Sequence, residues 1–329
     1  MAAEQLPISS LSGLCPARIT ASTAPTLSSI LTAPALFCTL QLTGPVIGPV
    51  IGGALSAALG WRSTFVFLAV FCGAVGALLL LFLPETHQYY TLKQLSIKDP
   101  DMLQQIAEAP KILAAKPVFR LPLSMLAYFY KLAFAPYVLV NAWANAALFG
   151  CLTLWPVFLA APPYSLGQAM VGVTYLADGL GAVSGSLLGG ILSDKAAVRW
   201  HQAPEGRMVW NVAVALVCMP AGFLLYGWGF SVNMHIAGLL ASSFLVSFGA
   251  AALMPGVYSY MSCVDQANAG AATAAVNAGW CMLAGVVVLV SVTGVSSMGV
   301  GPYFTMLTGI HVVLSLFAGA CIAHRLRRS

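Results

Sequence analysis

The sequence predicts an all-α fold, a polytopic membrane helix bundle, and three observations carry that prediction. Charged residues make up 7% of the 329 residues, the hydrophobic set makes up 60%, and mean hydropathy is +0.89, whereas a soluble globular chain is about 25% charged. Uncharged apolar windows of roughly 20 residues, the length that crosses a bilayer core, recur at about 35–59, 62–83, 133–160, 167–192, 208–229, 235–260, 268–292 and 302–323. Basic residues then collect on one side when these eight windows are threaded through a membrane.

Residues 1–34 are rich in Ser, Thr, Ala and Pro and lack a basic region followed by an apolar core, so they make a poor signal peptide and read as a disordered lead-in. The first two spans occupy residues 35–84. Within the first, Gly44, Pro45, Gly48, Pro49, Gly52 and Gly53 form the run GPVIGPVIGG. Gly44, Gly48 and Gly52 are four apart, which on a helix makes one smooth stripe for close packing. Pro45 and Pro49 each remove an amide donor and bend the helix. In lipid the carbonyls so released need partners within the protein, which predicts a bundle interior or a cavity beside this helix.

Residues 85–131 form the largest polar interruption and carry Pro100, Pro110, Pro117 and Pro122. The segment KPVFRLPLSMLAYFYK mixes bases with Phe, Leu and Tyr, as expected of a helix lying on the cytoplasmic leaflet. Six further spans are expected over 132–324, joined by short loops that make consecutive helices antiparallel neighbours. A basic tail, 325–329, ends the chain.

With a cytoplasmic N-terminus, Arg18, the loop bases Lys93, Lys98, Lys111, Lys116, Arg120 and Lys131, then Lys195, Arg199 and Arg207, and finally Arg325, Arg327 and Arg328 all lie inside. Only Arg62 of the fourteen Lys and Arg falls outside. Both termini are therefore expected in the cytoplasm. The net charge of +5 is this asymmetry and gives no argument for nucleic acid. Eight cysteines are scattered without CxxC or a ligand-like His spacing, so they read as small packing residues.

Of nine acidic residues, Glu4, Glu85, Asp99, Asp101, Glu108, Asp194, Glu205 and Asp265 are expected in tails or loops, and Asp178 alone near the middle of a span. A carboxylate there costs a few kcal/mol unless it faces a wet cavity or a partner. Thr174 and Tyr175, four and three residues earlier, share its helix face. Gly181, Gly185 and Gly189 then repeat every four residues as a second small-residue seam. Two readings of Asp178 stay open, a cavity-facing acid that handles substrate or protons and a buried acid that joins helices. Asn141 and Asn145 in the third span, and Thr273, Asn277 and Trp280 in the seventh, also fall at helical spacing. Such faces either line a path or make interhelical hydrogen bonds. His311 reads as a packing histidine.

Enzyme chemistry finds no foothold. A rhomboid-type GxSG turn is absent, since Gly181 to Gly185 holds one residue too many. An intramembrane aspartyl protease needs two facing aspartates, and Asp178 stands alone. No HExxH, GxxxxGKS/T or strand-flanked GxGxxG occurs, so no metal, nucleotide or other cofactor is expected.

The run GPVIGPVIGGALSAALGWRSTFVFL followed by FLPETH resembles the fifth and sixth spans of the major facilitator superfamily, in its fungal branch of twelve-span drug:proton antiporters. Gly44, Gly48, Pro49, Gly52 and Gly53 match the antiporter motif GxxxGPxxGG, and Pro84, Glu85 and Thr86 match the PET that ends the sixth span. VGVTYLADGLG, GGILSDKAAVR and PEGRM are similar to the second half of multidrug-resistance members. The resemblance implies a partial major facilitator fold of eight spans, equivalent to spans 5 to 12 and lacking the first four at the N-terminus. It implies a transmembrane transporter of small organic compounds that exports them against protons by alternating access.

On that resemblance Asp178 and Tyr175 sit on the transport path, Asn141, Asn145, Asn277 and Trp280 line it, and Asp194 with Arg199 bridges helix ends as a cytoplasmic gate. The expected partners are the lipid bilayer, a small-molecule substrate and protons, and the expected location is the plasma membrane. The alternative is a non-transporting membrane protein that acts only through helix association.

Overall fold

In the computed structural model, residues 33–82, 93, 134–200, 203–264 and 269–328 are described. They form eight long helices at the eight apolar windows: α1 (Ala33–Leu59), α2 (Trp61–Phe82), α3 (Ala135–Ala160), α4 (Gln168–Arg199), α5 (Val209–Ser231), α6 (Ile236–Val264), α7 (Ala269–Met298) and α8 (Val300–Leu326). A 3-10 turn, Pro204–Met208, leads into α5. Among the described residues seven helices, α2 to α8, are long and apolar enough to cross a membrane. The chain is a multi-pass helical membrane protein. The central segment 85–131, apart from Lys93, and the lead-in before residue 33 lie outside the described residues.

Two helix pairs turn on one glycine each. Gly60 (φ +82°) separates α1 from α2 and Gly299 (φ +85°) separates α7 from α8. Only glycine adopts that backbone region without steric cost, so a one-residue reversal is possible there. Helix α4 differs most from the sequence expectation. Its apolar window ends near 192, yet the helix runs on to Arg199 and carries Asp194 with it. Thirty-two residues span about 48 Å at 1.5 Å each, well over a ~30 Å hydrocarbon core, so the polar turns can extend beyond it.

Helix α4 packs along both α1 and α6, and α5 packs against α6 and α8, while α3 lies against α7. An aromatic cluster fills the space among α3, α5 and α8: Tyr226 stands 5.5 Å from Trp155 and 4.6 Å from Phe304, ring centre to ring centre. Its hydroxyl donates to the Cys151 carbonyl at 3.0 Å. Pro156, Pro220 and Pro255 lie inside α3, α5 and α6. Helix α2 has no buried residue.

The α4–α6 contact is the tightest. A Cβ placed on Gly181, Gly185 or Gly189 would collide with the backbone of Phe244, Phe248 or Ala252 respectively. The seam anticipated from the four-residue repeat is therefore a backbone-to-backbone contact, which removes the separation a side chain imposes. The stripe on α1 behaves differently. Nothing described lies within 4 Å of a Cβ built on Gly44 or Gly48, and Gly52 meets only the Thr64 methyl at 3.5 Å. Close approach falls instead at Gly53, whose Cβ would sit 2.9 Å from the Gln168 carbonyl oxygen, and at Gly172, where Pro49 O would stand at 2.7 Å.

Candidate functional site

Asp178 lies three residues before Gly181, so it shares the α4 face that meets α6. It is 4% exposed. Its Oδ1 accepts hydrogen bonds from Ser247 and, at 3.3 Å, from Ser243, both on α6. Among the described residues no cation pairs with it. The two serines are neutral, so they solvate the carboxyl without neutralising it. Neither serine stands out in the sequence, because isolated serines in apolar spans are common small packing residues.

Tyr175 and Thr174 join the same region to α3. The Tyr175 hydroxyl donates to the Leu152 carbonyl at 2.7 Å. Trp155 Nε1 donates to Thr174 Oγ1 at 2.8 Å, and that hydroxyl donates to the Val171 carbonyl at 2.6 Å. Asp178 and its two neighbours thus tie α4 to α3 on one side and α6 on the other. They lie within about one turn of each other on α4.

A second group runs along α3 and α7. Asn145 Nδ2 donates to the Asn141 carbonyl at 2.9 Å and lies 3.3 Å from its Oδ1. Asn141 is fully buried, and its own Nδ2 has no partner among the described residues. Phe149, four residues beyond Asn145, stacks on Trp280 with ring centres 5.3 Å apart. Trp280 Nε1 donates to Asn277 Oδ1 at 3.0 Å, and Tyr258 of α6 donates to the same oxygen at 2.6 Å. The six path residues named from the sequence therefore fall into two groups, Asp178 with Tyr175, and the three amides with Trp280. Helix α3 contributes to both.

Asp194 and Arg199 do not meet. Both lie on the continuous helix α4, where five residues put them about 140° apart around the axis. The Arg199 guanidinium instead lies over the Trp200 ring, 5.3 Å from its centre. Arg207, at the entry to α5, is the base that acts on Asp194 electrostatically. Gly190–Arg199 is helix rather than loop, because hydropathy reports the lipid boundary and a helix can run past it.

An ion pair at the same end of the bundle was not foreseen. Arg325 Nη1 donates to Glu205 Oε1 at 2.7 Å, and Tyr260 OH stands 3.4 Å from both atoms. Glu205 is buried rather than in an open loop. This pair joins the turn before α5 to the end of α8 beside α6. Next to it Arg207 donates to Ser259 Oγ at 2.7 Å. Asn211 of α5 spans the seam itself, its Nδ2 donating to the carbonyls of Gly189 at 2.9 Å and Ala252 at 2.7 Å. His311 is fully buried; its Nε2 lies 3.2 Å from the Ala215 carbonyl and 3.3 Å from Ser315, while Nδ1 has no partner among the described residues. At the opposite end, Tyr164 donates to the Met234 carbonyl at 2.6 Å, and burial pushes its phenol above the ordinary value.

An uncompensated acid on a glycine seam within a bundle of apolar helices defines a class, the polytopic membrane proteins whose polar groups turn inward. The chain belongs to the Major Facilitator Superfamily, whose model it matches over residues 15–289. It is 29% identical over 238 residues to the MFS transporter fsa7 of a Fusarium species, covering 68% of this chain and 45% of that protein. To the MFS antiporter QDR1 of Candida albicans it is 27% identical over 284 residues, covering 78% of this chain and 56% of the relative. A 156-residue stretch is 28% identical to Quinidine resistance protein 3 of Saccharomyces cerevisiae, covering 45% of this chain and 22% of that protein. The chain spans about half the length, or less, of the curated relatives it matches.

Proposed function

We propose that this chain forms the helical body of a secondary transporter of small organic compounds, of the drug-efflux type, which exchanges its substrate for protons by alternating access. One observation carries the reading: Asp178 is buried mid-helix at a glycine seam and held by hydroxyl donors with no described cation beside it. An acid so placed changes charge whenever its surroundings admit water, which is what a proton-coupled cycle asks of a membrane carboxylate. The relatives named as antiporter and quinidine resistance protein support the substrate class.

In this reading Tyr175 stands beside the acid, and Asn141, Asn145, Asn277 and Trp280 face the solute. The GPVIGPVIGG helix, with Gly44, Pro45, Gly48, Pro49, Gly52 and Gly53, slides or rocks on α4. The gate assigned from the sequence to Asp194 and Arg199 is reassigned to Asp194 with Arg207 and to Glu205 with Arg325. The end bearing these charges faces the cytoplasm, with both termini there, and the membrane is the plasma membrane. The chain itself makes and breaks no covalent bond.

One feature favours a second reading, association without transport. Helix α2 touches α1 at Ser63 and Thr64 but buries no residue, with Phe65 65% and Leu80 90% exposed, as a helix awaiting a protein neighbour would be. Reconstitution of the chain in liposomes with an imposed pH gradient separates the two. Gradient-driven accumulation of a lipophilic organic cation supports transport, and its absence in a folded, helical preparation supports association.

A further inference from the structure

We infer that the groove between α5 and α8 is a binding site for one anionic phospholipid, an acyl chain lying in the groove and the phosphate held by Arg327 and Arg328. The groove has a volume of about 400 Å³ and is lined by Val212, Leu216, Leu316, Gly319, Ala320 and Ala323 among others. Apart from Ser315 the lining is aliphatic, and Gly319, Ala320 and Ala323 keep the α8 wall low between Leu316 and Leu326, so the trough is apolar enough to take a hydrocarbon chain. It opens on the outer surface of the bundle: Leu316 is 56% exposed, and nothing described lies within 4 Å of a Cβ on Gly319.

Charge is concentrated at one mouth of this groove. Leu316, Ala320, Ala323 and Arg327 fall at steps of four, three and four residues, so Arg327 continues the lining stripe of α8, the backbone still being helical there. Arg328 follows it, and both are exposed with no acidic partner among the described residues. Arg325, next to the lining residue Leu326 in sequence, is already spent on Glu205. An apolar trough whose α8 stripe continues into Arg327, with Arg328 adjacent in sequence and neither paired to a described acid, matches a phospholipid, with hydrocarbon below and phosphate above. Guanidinium binds phosphate through paired N–H donors, and basic pockets between helices at a membrane surface select anionic headgroups.

This inference does not rest on transport, and it fails or stands separately from it. The test is native mass spectrometry of the full chain released from micelles containing phosphatidylglycerol and phosphatidylcholine of identical acyl chains. The expected result is retention of one phosphatidylglycerol in preference to phosphatidylcholine by roughly tenfold or more, given two arginines at a membrane surface. R327Q/R328Q is expected to abolish the headgroup preference while leaving some lipid bound. Gly319→Leu, which fills the groove from a position with free space, is expected to lose the retained lipid of either kind. An unchanged preference in R327Q/R328Q, or unchanged retention in Gly319→Leu, overturns the inference. So does a dimer that Gly319→Leu dissociates, which would make the groove an interface between copies.

Discussion

Replacing Gly185 by alanine tests whether the α4–α6 seam is as tight as its geometry indicates. A methyl group at this position meets Phe248 C and Cα at 2.9 Å, with the carbonyl oxygen closer still, where ordinary contact begins at 3.4 Å. The obstacle is backbone, which no rotamer change relieves, so the helices must part by at least about 0.5 Å. Overpacking of this kind costs about 1–3 kcal/mol. Alanine returns up to about 1 kcal/mol through its better helix propensity. The net expectation is a loss of up to about 2 kcal/mol, and the displacement also strains the hydrogen bonds from Ser243 and Ser247 to Asp178 on the same face. Gly309→Ala is the control, because nothing described lies within 4 Å of its added Cβ; it should gain about 0.5–1 kcal/mol. Reversible unfolding of the purified chain in mixed micelles, followed by tryptophan fluorescence, reads both changes. If Gly185→Ala stabilised the protein as Gly309→Ala does, the seam would not be a backbone contact.

Other expectations follow from the polar ties. Asn211→Ala withdraws two donors from the Gly189 and Ala252 carbonyls and should cost about 1–3 kcal/mol in the same unfolding assay, the range for stranded buried polar groups; a change within 0.3 kcal/mol of zero, on the order of assay error, would remove its bridging role. A double-mutant cycle on Glu205→Gln and Arg325→Gln should give a coupling of about 1 kcal/mol, modest because the arginine is about one-third exposed; strictly additive effects would mean the pair does not latch the helix ends. Cys263, exposed near the end of α6, and Cys151, buried in α3, should differ in labelling. A membrane-impermeant maleimide should modify Cys263 only when it has access to the cytoplasmic side, by comparison with Cys263→Ser, and modification from outside intact cells would invert the proposed orientation.

Much of the helical frame was legible because lipid imposes a simple rule, roughly 20 uncharged residues per crossing. That rule located the seven helices among the described residues that are long and apolar enough to cross a membrane, and the glycine repeat at 181, 185 and 189 located the seam, since four-residue spacing puts small residues on one helix face. What the repeat could not specify was the partner. The seam meets Phe244, Phe248 and Ala252 of α6, more than 60 residues away in sequence, and nothing local encodes that pairing. The acid at 178 was conspicuous because it is alone, whereas Ser243 and Ser247 were not, being neutral and small. Charge runs misled in the other direction. Asp194 and Lys195 end a hydropathy window, but helix α4 continues through them because backbone hydrogen bonds do not depend on side-chain polarity. Glu205 and Arg325 are 120 residues apart, and only folding brings them together.

The most direct measurement of the central claim is proton-driven uptake of a lipophilic organic cation into liposomes carrying the wild-type chain or Asp178→Asn. Asparagine keeps an acceptor oxygen for Ser243 and Ser247 but cannot carry the charge, so helicity and thermal midpoint should be retained. The account predicts gradient-driven accumulation for the wild type and none for Asp178→Asn. Equal accumulation by both, or none by a folded wild-type chain, would contradict it.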